Sequence, residues 1–187
     1  MARAEKGQLA AESGQMDSTP LSTFSDGGER QVRPGVRLAV DLGKVRVGIA
    51  KSDSEGIMAN PVTTAARGKN DLGVLFRLIR ELNPIEIYVG YPLNMDGSAG
   101  TMARSISKWA AKLANKVAPI PVRLIDERLS SVTAHRQLYE AGRKEIAHRA
   151  VVDQVAAVNI LESALATERT SGKVPGQLVA SKAKAQL

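Results

Sequence analysis

The sequence predicts an α/β protein built on one mixed five-stranded sheet with helices on both of its faces. Three short apolar segments come first, and their Val-rich composition and small turns are typical of adjacent antiparallel strands. Segments with helical periodicity then alternate with two further apolar runs, as expected where helices connect parallel strands. No internal repeat is visible along this order.

The first three strands are predicted at residues 36–41, 46–52 and about 57–64. The third contains Pro61, which lacks an N–H for the strand ladder and therefore favours an edge position. A helix follows from Asp71 and ends at Asn83-Pro84. Its apolar residues recur at helical spacing: Leu72, Leu75, Phe76, Ile79 and Leu82.

The second half of the chain alternates strands with helices. The run IEIYVGYPL predicts a strand buried on both faces, and the turn NMDGS then leads into a helix over about 99–118. The run VRLID predicts a fifth strand. Beyond it, a helix capped by Ser130 or Ser131 is expected to end near Gly142, and a last helix spans roughly 149–167.

The 187 residues are most simply one folded domain with tails. Residues 1–33 are rich in Gly, Ser, Gln and Thr without periodicity, so they are predicted to be a disordered extension. The domain is assigned to 34–169, and 170–187 are predicted to form a flexible basic tail.

The amino-acid composition excludes several classes of protein. The chain has no cysteine, which excludes disulfides and thiolate metal sites and favours a reducing compartment. No apolar run is long enough to span a bilayer and no signal peptide is visible, so a cytoplasmic protein without a membrane partner is expected. Aromatic residues, at 3%, offer no dense set of stacking platforms for single-stranded bases.

The charge distribution favours an anionic partner. The net charge is +7, and within residues 34–169 the Lys and Arg residues outnumber Asp and Glu by five. The excess therefore belongs to the predicted domain and not only to its tail. A binder of the nucleic-acid phosphate backbone needs such a surface.

Acidic residues stand at unusual places. Asp41 ends the first strand, Asp126 and Glu127 end the fifth, and Asp153 lies early in a helix otherwise rich in Val and Ala. Any one of them could be a salt-bridged or capping carboxylate. Together they are expected to cluster, because parallel strands align their carboxyl ends. Clustered carboxylates need a cation, and oxygen ligands without cysteine or a histidine cluster favour Mg²⁺ or Mn²⁺, the ions of phosphodiester hydrolysis.

Four segments, DLGKVRVGIA, VGYPLNMDGS, IDERLSS and VVDQVAAVNIL, resemble in this order the YqgF (RuvX) family of ribonuclease H-like nucleases over about 34–167. The resemblance implies a ribonuclease H-like fold and a metal-dependent endonuclease linked to Holliday junction resolution and to 5′-end maturation of pre-16S rRNA. It implies that Asp41, Glu127 and Asp153 are the catalytic, metal-binding acids. Either Asp126 or Glu127 could face the metal, since strand neighbours point opposite ways, and Glu127 is preferred.

The predicted substrate contacts surround these acids. They are Lys44, Arg46, Asn94, Arg128 and Arg149. Arg67 is a further cation that could follow the phosphates. The chain departs from the family pattern at Val45, where a basic residue is usual, and lacks the basic residue that often precedes the helix acid, so Arg149 is the nearest substitute.

The sequence is compatible with other functions and assemblies. A catalytically silent nucleic-acid-binding module could keep the same fold. A nucleotide-binding role, as in actin-like ATPases, is disfavoured because it needs two such domains. The substrate is either pre-16S rRNA or branched DNA. Paired cuts in a junction would require an isologous dimer, whereas processing one rRNA end would not, and a monomer or a weak homodimer that forms on substrate is expected. Trp109 and Tyr139 are candidate dimer contacts, although Trp109 is expected to pack in the core.

Overall fold

The structure, a computed structural model, describes residues 32–68, 70–129 and 149–182, with the backbone alone for 129 and 149–153. The helix predicted to begin at Ser130 or Ser131 lies outside the described residues, and so do residues 1–31.

The described strands form one mixed sheet in the order β3-β2-β1-β4-β5-β6. The strands β1, β2 and β3 make an antiparallel meander, while β4 lies parallel to β1 and β5 lies parallel to β4. The strand bounds are β1 Arg37–Leu42, β2 Arg46–Ser52, β3 Ala59–Ala66, β4 Glu86–Tyr91, β5 Val122–Asp126 and β6 Gln177–Leu178.

The prediction of five strands was short by one. The additional strand, β6, is two residues long and pairs antiparallel with β5, so no alternating pattern could reveal it in the sequence. The Val179 N–H also donates to the Val122 carbonyl at 2.9 Å, and the Lys182 N–H donates to the Asn115 side chain at 2.7 Å. Part of the segment predicted as a flexible tail is therefore hydrogen-bonded to the domain.

Helices cover both faces of the sheet, as predicted. They are α1 Asp71–Leu82, α2 Thr101–Val117 and α3 Arg149–Ser171. A short 3₁₀ turn, Glu127–Leu129, follows β5. On one face α1 and α2 pack on branched side chains of the strands, and half-buried Trp109 packs there too, as predicted. On the other face α3 packs on Ala39, Ala50 and Tyr88.

A buried ionic network joins α3 to the beginnings of the central strands. Arg33 donates to Glu168 at 2.6 Å and also pairs with Glu86, which accepts hydrogen bonds from Arg123 and from the Tyr88 hydroxyl. Arg33 had been placed in the disordered extension, but these contacts make it part of the domain. Its hydrogen bonds outweigh the burial that opposes charge on Glu168, and they hold the pKa of Glu168 below its ordinary value.

Within the described ranges, none of the helices is both long and apolar enough to cross a bilayer.

Candidate active site

The candidate site lies at the edge of the sheet where β1, β4 and β5 end. Because these three neighbours are parallel, the loops that follow them leave the sheet side by side. The loops are the β1–β2 turn at 43–45, the β4–α2 loop at 92–100 and the 3₁₀ turn after β5. Most of the predicted site residues lie on these loops or on the strand ends that precede them.

Asp41 faces the side of the sheet covered by α3. Its strand neighbours Val40 and Leu42 are buried under α1 and α2, so alternation turns Asp41 the other way. It pairs in register with Gly48 of β2. On its other side Val40 pairs with Val89, and the same register continued by one residue brings Asp41 beside Gly90. Both neighbouring strands therefore carry a glycine beside this carboxylate.

Glu127 brings a second carboxylate to the same face. A methyl group at position 90 would overlap its Oε1 atom and would come within 2.5 Å of the Ile160 Cδ1 atom. The carboxylate therefore lies over the bare backbone of Gly90, beside α3. Glycine inside a strand often marks such a close approach. Asp41 and Glu127 thus flank the same glycine on one face of the sheet.

Asp126 has a different set of contacts. Its carboxylate accepts hydrogen bonds from the Arg128 Nη2 atom at 2.7 Å and from the Arg128 backbone N–H at 3.0 Å. This pairing with the guanidinium lowers the pKa of Asp126. Of the two neighbouring acids, Glu127 is the one that shares a face with Asp41, and Asp126 is engaged by Arg128.

Arg128 also holds the β4–α2 loop. Its Nη1 atom donates to the carbonyls of Asn94 and Met95, at 3.1 and 3.4 Å. The loop itself is a compact turn in which the Asn94 side chain donates to the Ser98 hydroxyl at 2.8 Å. Asn94 and Met95 are both exposed there. Arg128, predicted to contact substrate, therefore connects the end of β5 to the loop that carries Asn94.

The β1–β2 turn is anchored in a similar way. Arg67, one of the cations expected to follow the phosphates, donates to the Gly43 carbonyl at 2.7 Å and to the Ser105 hydroxyl at 3.1 Å. These bonds connect the turn to the first part of α2. Lys44 is exposed at the tip of the turn, and Arg46 is half-buried at the start of β2.

Asp153 and Arg149 lie in the first turns of α3, and their side chains are outside the described residues. Position 153 precedes Ala157 by four residues and Ile160 by seven, which places all three on one face of the helix. Ala157 and Ile160 are buried against the sheet. The backbone of α3 therefore places position 153 on the helix face that packs on the sheet.

The donors present suit a hard divalent cation. Asp41 and Glu127 offer oxygen atoms alone, which Mg²⁺ and Mn²⁺ prefer. The absence of a side chain at Gly90 leaves room for the Glu127 carboxylate on this face of the sheet. Among the described residues no group of three potential ligands could hold one ion, and the third predicted ligand, Asp153, is outside that set.

Two residues that shape this site were missed by sequence reasoning. Gly48 and Gly90 lie in otherwise branched, apolar strands, and both border Asp41. An isolated glycine in a buried strand weakens the strand, and this was the signal that could have drawn attention to them.

Comparisons with known proteins identify the family of this chain. The model of a family described as RuvX, Holliday junction resolvase, matches residues 35–167. A Nocardioides protein is 44% identical over 153 residues, covering 79% of this chain and 98% of its own length. A Kineococcus radiotolerans protein is 49% identical over 152 residues, with 80% of each chain covered. Both relatives carry the name "Putative pre-16S rRNA nuclease".

Among solved structures, T. thermophilus RuvC in complex with a Holliday junction substrate is similar, with a TM-score of 0.49 and 15% identity over 73% of this chain and 96% of that one. The mixed sheet with helices on both faces agrees with the predicted ribonuclease H-like fold. A family match over most of the chain, together with relatives above 40% identity, shows that the chain belongs to the RuvX family.

Proposed function

We propose that this protein is a divalent-metal-dependent endonuclease that hydrolyses phosphodiester bonds in structured nucleic acid. Asp41, Glu127 and Asp153 are the proposed ligands of Mg²⁺ or Mn²⁺. The observation that carries the proposal is the position of the Glu127 carboxylate over Gly90, on the same face of the sheet as Asp41. The two acids are far apart in sequence, with Asp41 in β1 and Glu127 in the turn after β5, and they flank one strand glycine.

Each residue of the site has a proposed role in binding the metal ion or the substrate. A bound metal ion would polarise the scissile phosphate and lower the pKa of an attacking water. Asp41, in β1, and Glu127, in the turn after β5, would supply negative oxygen donors. Lys44 and Asn94, exposed on the flanking loops, are proposed to contact the phosphates on either side. Arg128 and Arg67 hold those two loops in position through their carbonyl contacts.

Two substrates are compatible with this site. The relatives are named for pre-16S rRNA, and the family model is named for Holliday junctions. Both substrates combine double-stranded arms with an irregular point, so recognition through backbone and shape suits either. Junction resolution needs two symmetric cuts, and for that reaction we propose a weak homodimer that forms on the substrate. Precursor rRNA is a cytoplasmic molecule in bacteria, and we assign the protein to that compartment.

The decisive experiment compares a four-way DNA junction and a 16S rRNA precursor in parallel, with one protein preparation in Mg²⁺ and in Mn²⁺. Asp41→Asn and Glu127→Gln should abolish cleavage and leave substrate binding intact, because each variant removes a ligand charge and keeps the side-chain shape. Glu81→Gln, on the exposed surface of α1, is the matched control and should cleave normally.

The substrate that wild type cuts identifies the reaction, and sedimentation on that substrate shows whether a dimer forms. If wild type binds both substrates and cuts neither in either metal, the alternative of a catalytically silent binding module with this fold replaces the proposal.

A further inference from the structure

We propose that the exposed face of α2 is a second nucleic-acid contact, a surface for the phosphate backbone of a double-stranded arm. The inference rests on the nucleic-acid binding in the proposed function and does not depend on cleavage. Four cations define this surface, which we name the α2 stripe: Arg104, Lys108, Lys112 and Lys116. All four are exposed.

The spacing of the α2 stripe makes it a continuous line. Residues four apart are neighbours on a helix surface and form one ridge. From Arg104 to Lys116 the backbone rises about 18 Å at 1.5 Å per residue. Phosphates follow one strand of a duplex at about 3.4 Å intervals along the helix axis, so the stripe is long enough to contact about five of them.

The charge on this face is not balanced by neighbouring acids. The sequence of α2 contains no Asp or Glu. Within the described part of the chain, no salt bridge involves Lys108, Lys112 or Lys116. Like charges four residues apart destabilise a helix, so the arrangement opposes folding. By contrast, α1 mixes Arg77 and Arg80 with acids. The stripe is therefore a property of α2 and not of the basic composition in general.

The stripe begins beside the candidate active site. The Arg104 Nη1 atom donates to the Ala99 carbonyl at 2.6 Å, in the loop that carries Asn94. At the far end, the Asn115 side chain accepts the Lys182 N–H, which adds an exposed lysine next to Lys116. A duplex arm that enters the site edge could thus continue along α2 toward the C-terminal residues.

The chemistry of this face favours a duplex over a single strand. Single-strand binders combine cations with exposed aromatic rings on which bases stack. The one aromatic residue of α2, Trp109, is half-buried and packs on the core. An exposed row of cations without aromatic side chains can attract phosphates, but it provides no surface on which unpaired bases could stack.

The test compares two triple variants that remove equal charge. Lys108→Gln/Lys112→Gln/Lys116→Gln neutralises the stripe, and Arg77→Gln/Arg80→Gln/Arg169→Gln neutralises exposed cations elsewhere. Binding to blunt DNA and RNA duplexes is measured by fluorescence anisotropy over a salt series in EDTA, so that no cleavage occurs. Circular dichroism verifies that both variants are folded.

The stripe variant should bind duplexes more weakly, and its slope of log affinity against log salt should fall by about 2 to 3, at about 0.9 for each lost phosphate contact. The control variant should keep the slope of wild type. Equal slopes for the two variants would overturn the inference. If duplex binding depends on the stripe but the wild-type protein cuts no substrate, the nuclease proposal fails and the inference about the stripe stands. Failure of the one is therefore distinguishable from failure of the other.

Discussion

The carboxylate of Glu127 lies over Gly90, so close that any side chain at position 90 would occupy its place. Glu127 follows β5, whereas Gly90 belongs to the neighbouring strand β4 and lies beside Asp41. The position of one proposed metal ligand thus depends on a missing side chain in another strand. Supporting residues of this kind commonly change metal affinity by about 10- to 100-fold when they are replaced.

Gly90→Ala should weaken Mn²⁺ binding, measured by calorimetry, by about 10-fold or more. It should also destabilise the fold by about 1–3 kcal/mol, because the new methyl group overlaps both Glu127 and Ile160. Adding Ile160→Val removes the Cδ1 atom and should restore part of the stability, measured by thermal unfolding without metal. It should not restore Mn²⁺ affinity, since Glu127 stays displaced.

The matched control is Gly73→Ala in α1, where the added methyl group would approach only the Asn70 side chain. That variant should keep wild-type Mn²⁺ affinity. A stable Gly90→Ala/Ile160→Val protein with unchanged Mn²⁺ affinity would show that Gly90 does not position a ligand.

Arg128→Lys distinguishes two possible roles of Arg128, holding the β4–α2 loop and making a charge contact with phosphate. Lysine keeps the positive charge but lacks the planar guanidinium with its several donors. In the structure, the guanidinium of Arg128 connects the Asp126 carboxylate with the carbonyls of Asn94 and Met95. If Arg128 holds the loop, the variant should raise KM several-fold with unchanged Mn²⁺ affinity, and stability should change little because the Arg128 side chain is exposed. Steady-state kinetics and calorimetry measure these quantities. A KM equal to that of wild type would favour a simple charge contact with phosphate.

Calcium should support substrate binding with little or no cleavage. Ca²⁺ accepts more ligands at longer distances and in looser geometry than Mg²⁺, so the attacking water would be misplaced in a site built for the smaller ion. Cleavage and anisotropy assays on one substrate, with each metal in turn, provide the measurement. Equal cleavage rates in the two metals would contradict a site that selects by geometry.

Acid should weaken the fold through Glu168, whose pKa is held below the ordinary 4.5 by Arg33 and Arg37. A carboxyl with a lowered folded-state pKa stabilises the fold above its unfolded-state pKa, and this stabilisation is lost as the pH falls through the folded-state value. Glu168→Gln should therefore lower Tm most at neutral pH, because Arg33 and Arg37 both lose this carboxylate, although Arg33 still pairs with Glu86.

The gap between wild type and Glu168→Gln should narrow as the pH falls below about 4.5, where the stabilising ionisation begins to be lost. Thermal unfolding across this range tests the expectation, with exposed Glu162→Gln as the control. A gap that is constant with pH would show that the charge of Glu168 contributes nothing.

Local sequence patterns were sufficient to predict most helices and strands of the described fold. Helical periodicity placed α1 at Asp71–Leu82 and α2 close to its observed bounds, because each helix buries one stripe against the sheet. The strand β3 begins two residues later than predicted, at Ala59. β6 was missed, since the hydrogen bonds that make two exposed residues a strand come from β5, more than fifty positions away.

The acids of the site were recognisable in the sequence as residue types at strand ends, and their motif order indicated the family. Sequence alone could not choose between Asp126 and Glu127, nor assign Arg128 and Arg67 to loop carbonyls, nor notice Gly90. The tertiary structure places the Glu127 carboxylate over Gly90, on the sheet face that Asp41 shares, and pairs Asp126 with Arg128. The reason is physical: strand register and helix packing decide which atoms meet, and these depend on contacts between segments that are distant in the chain.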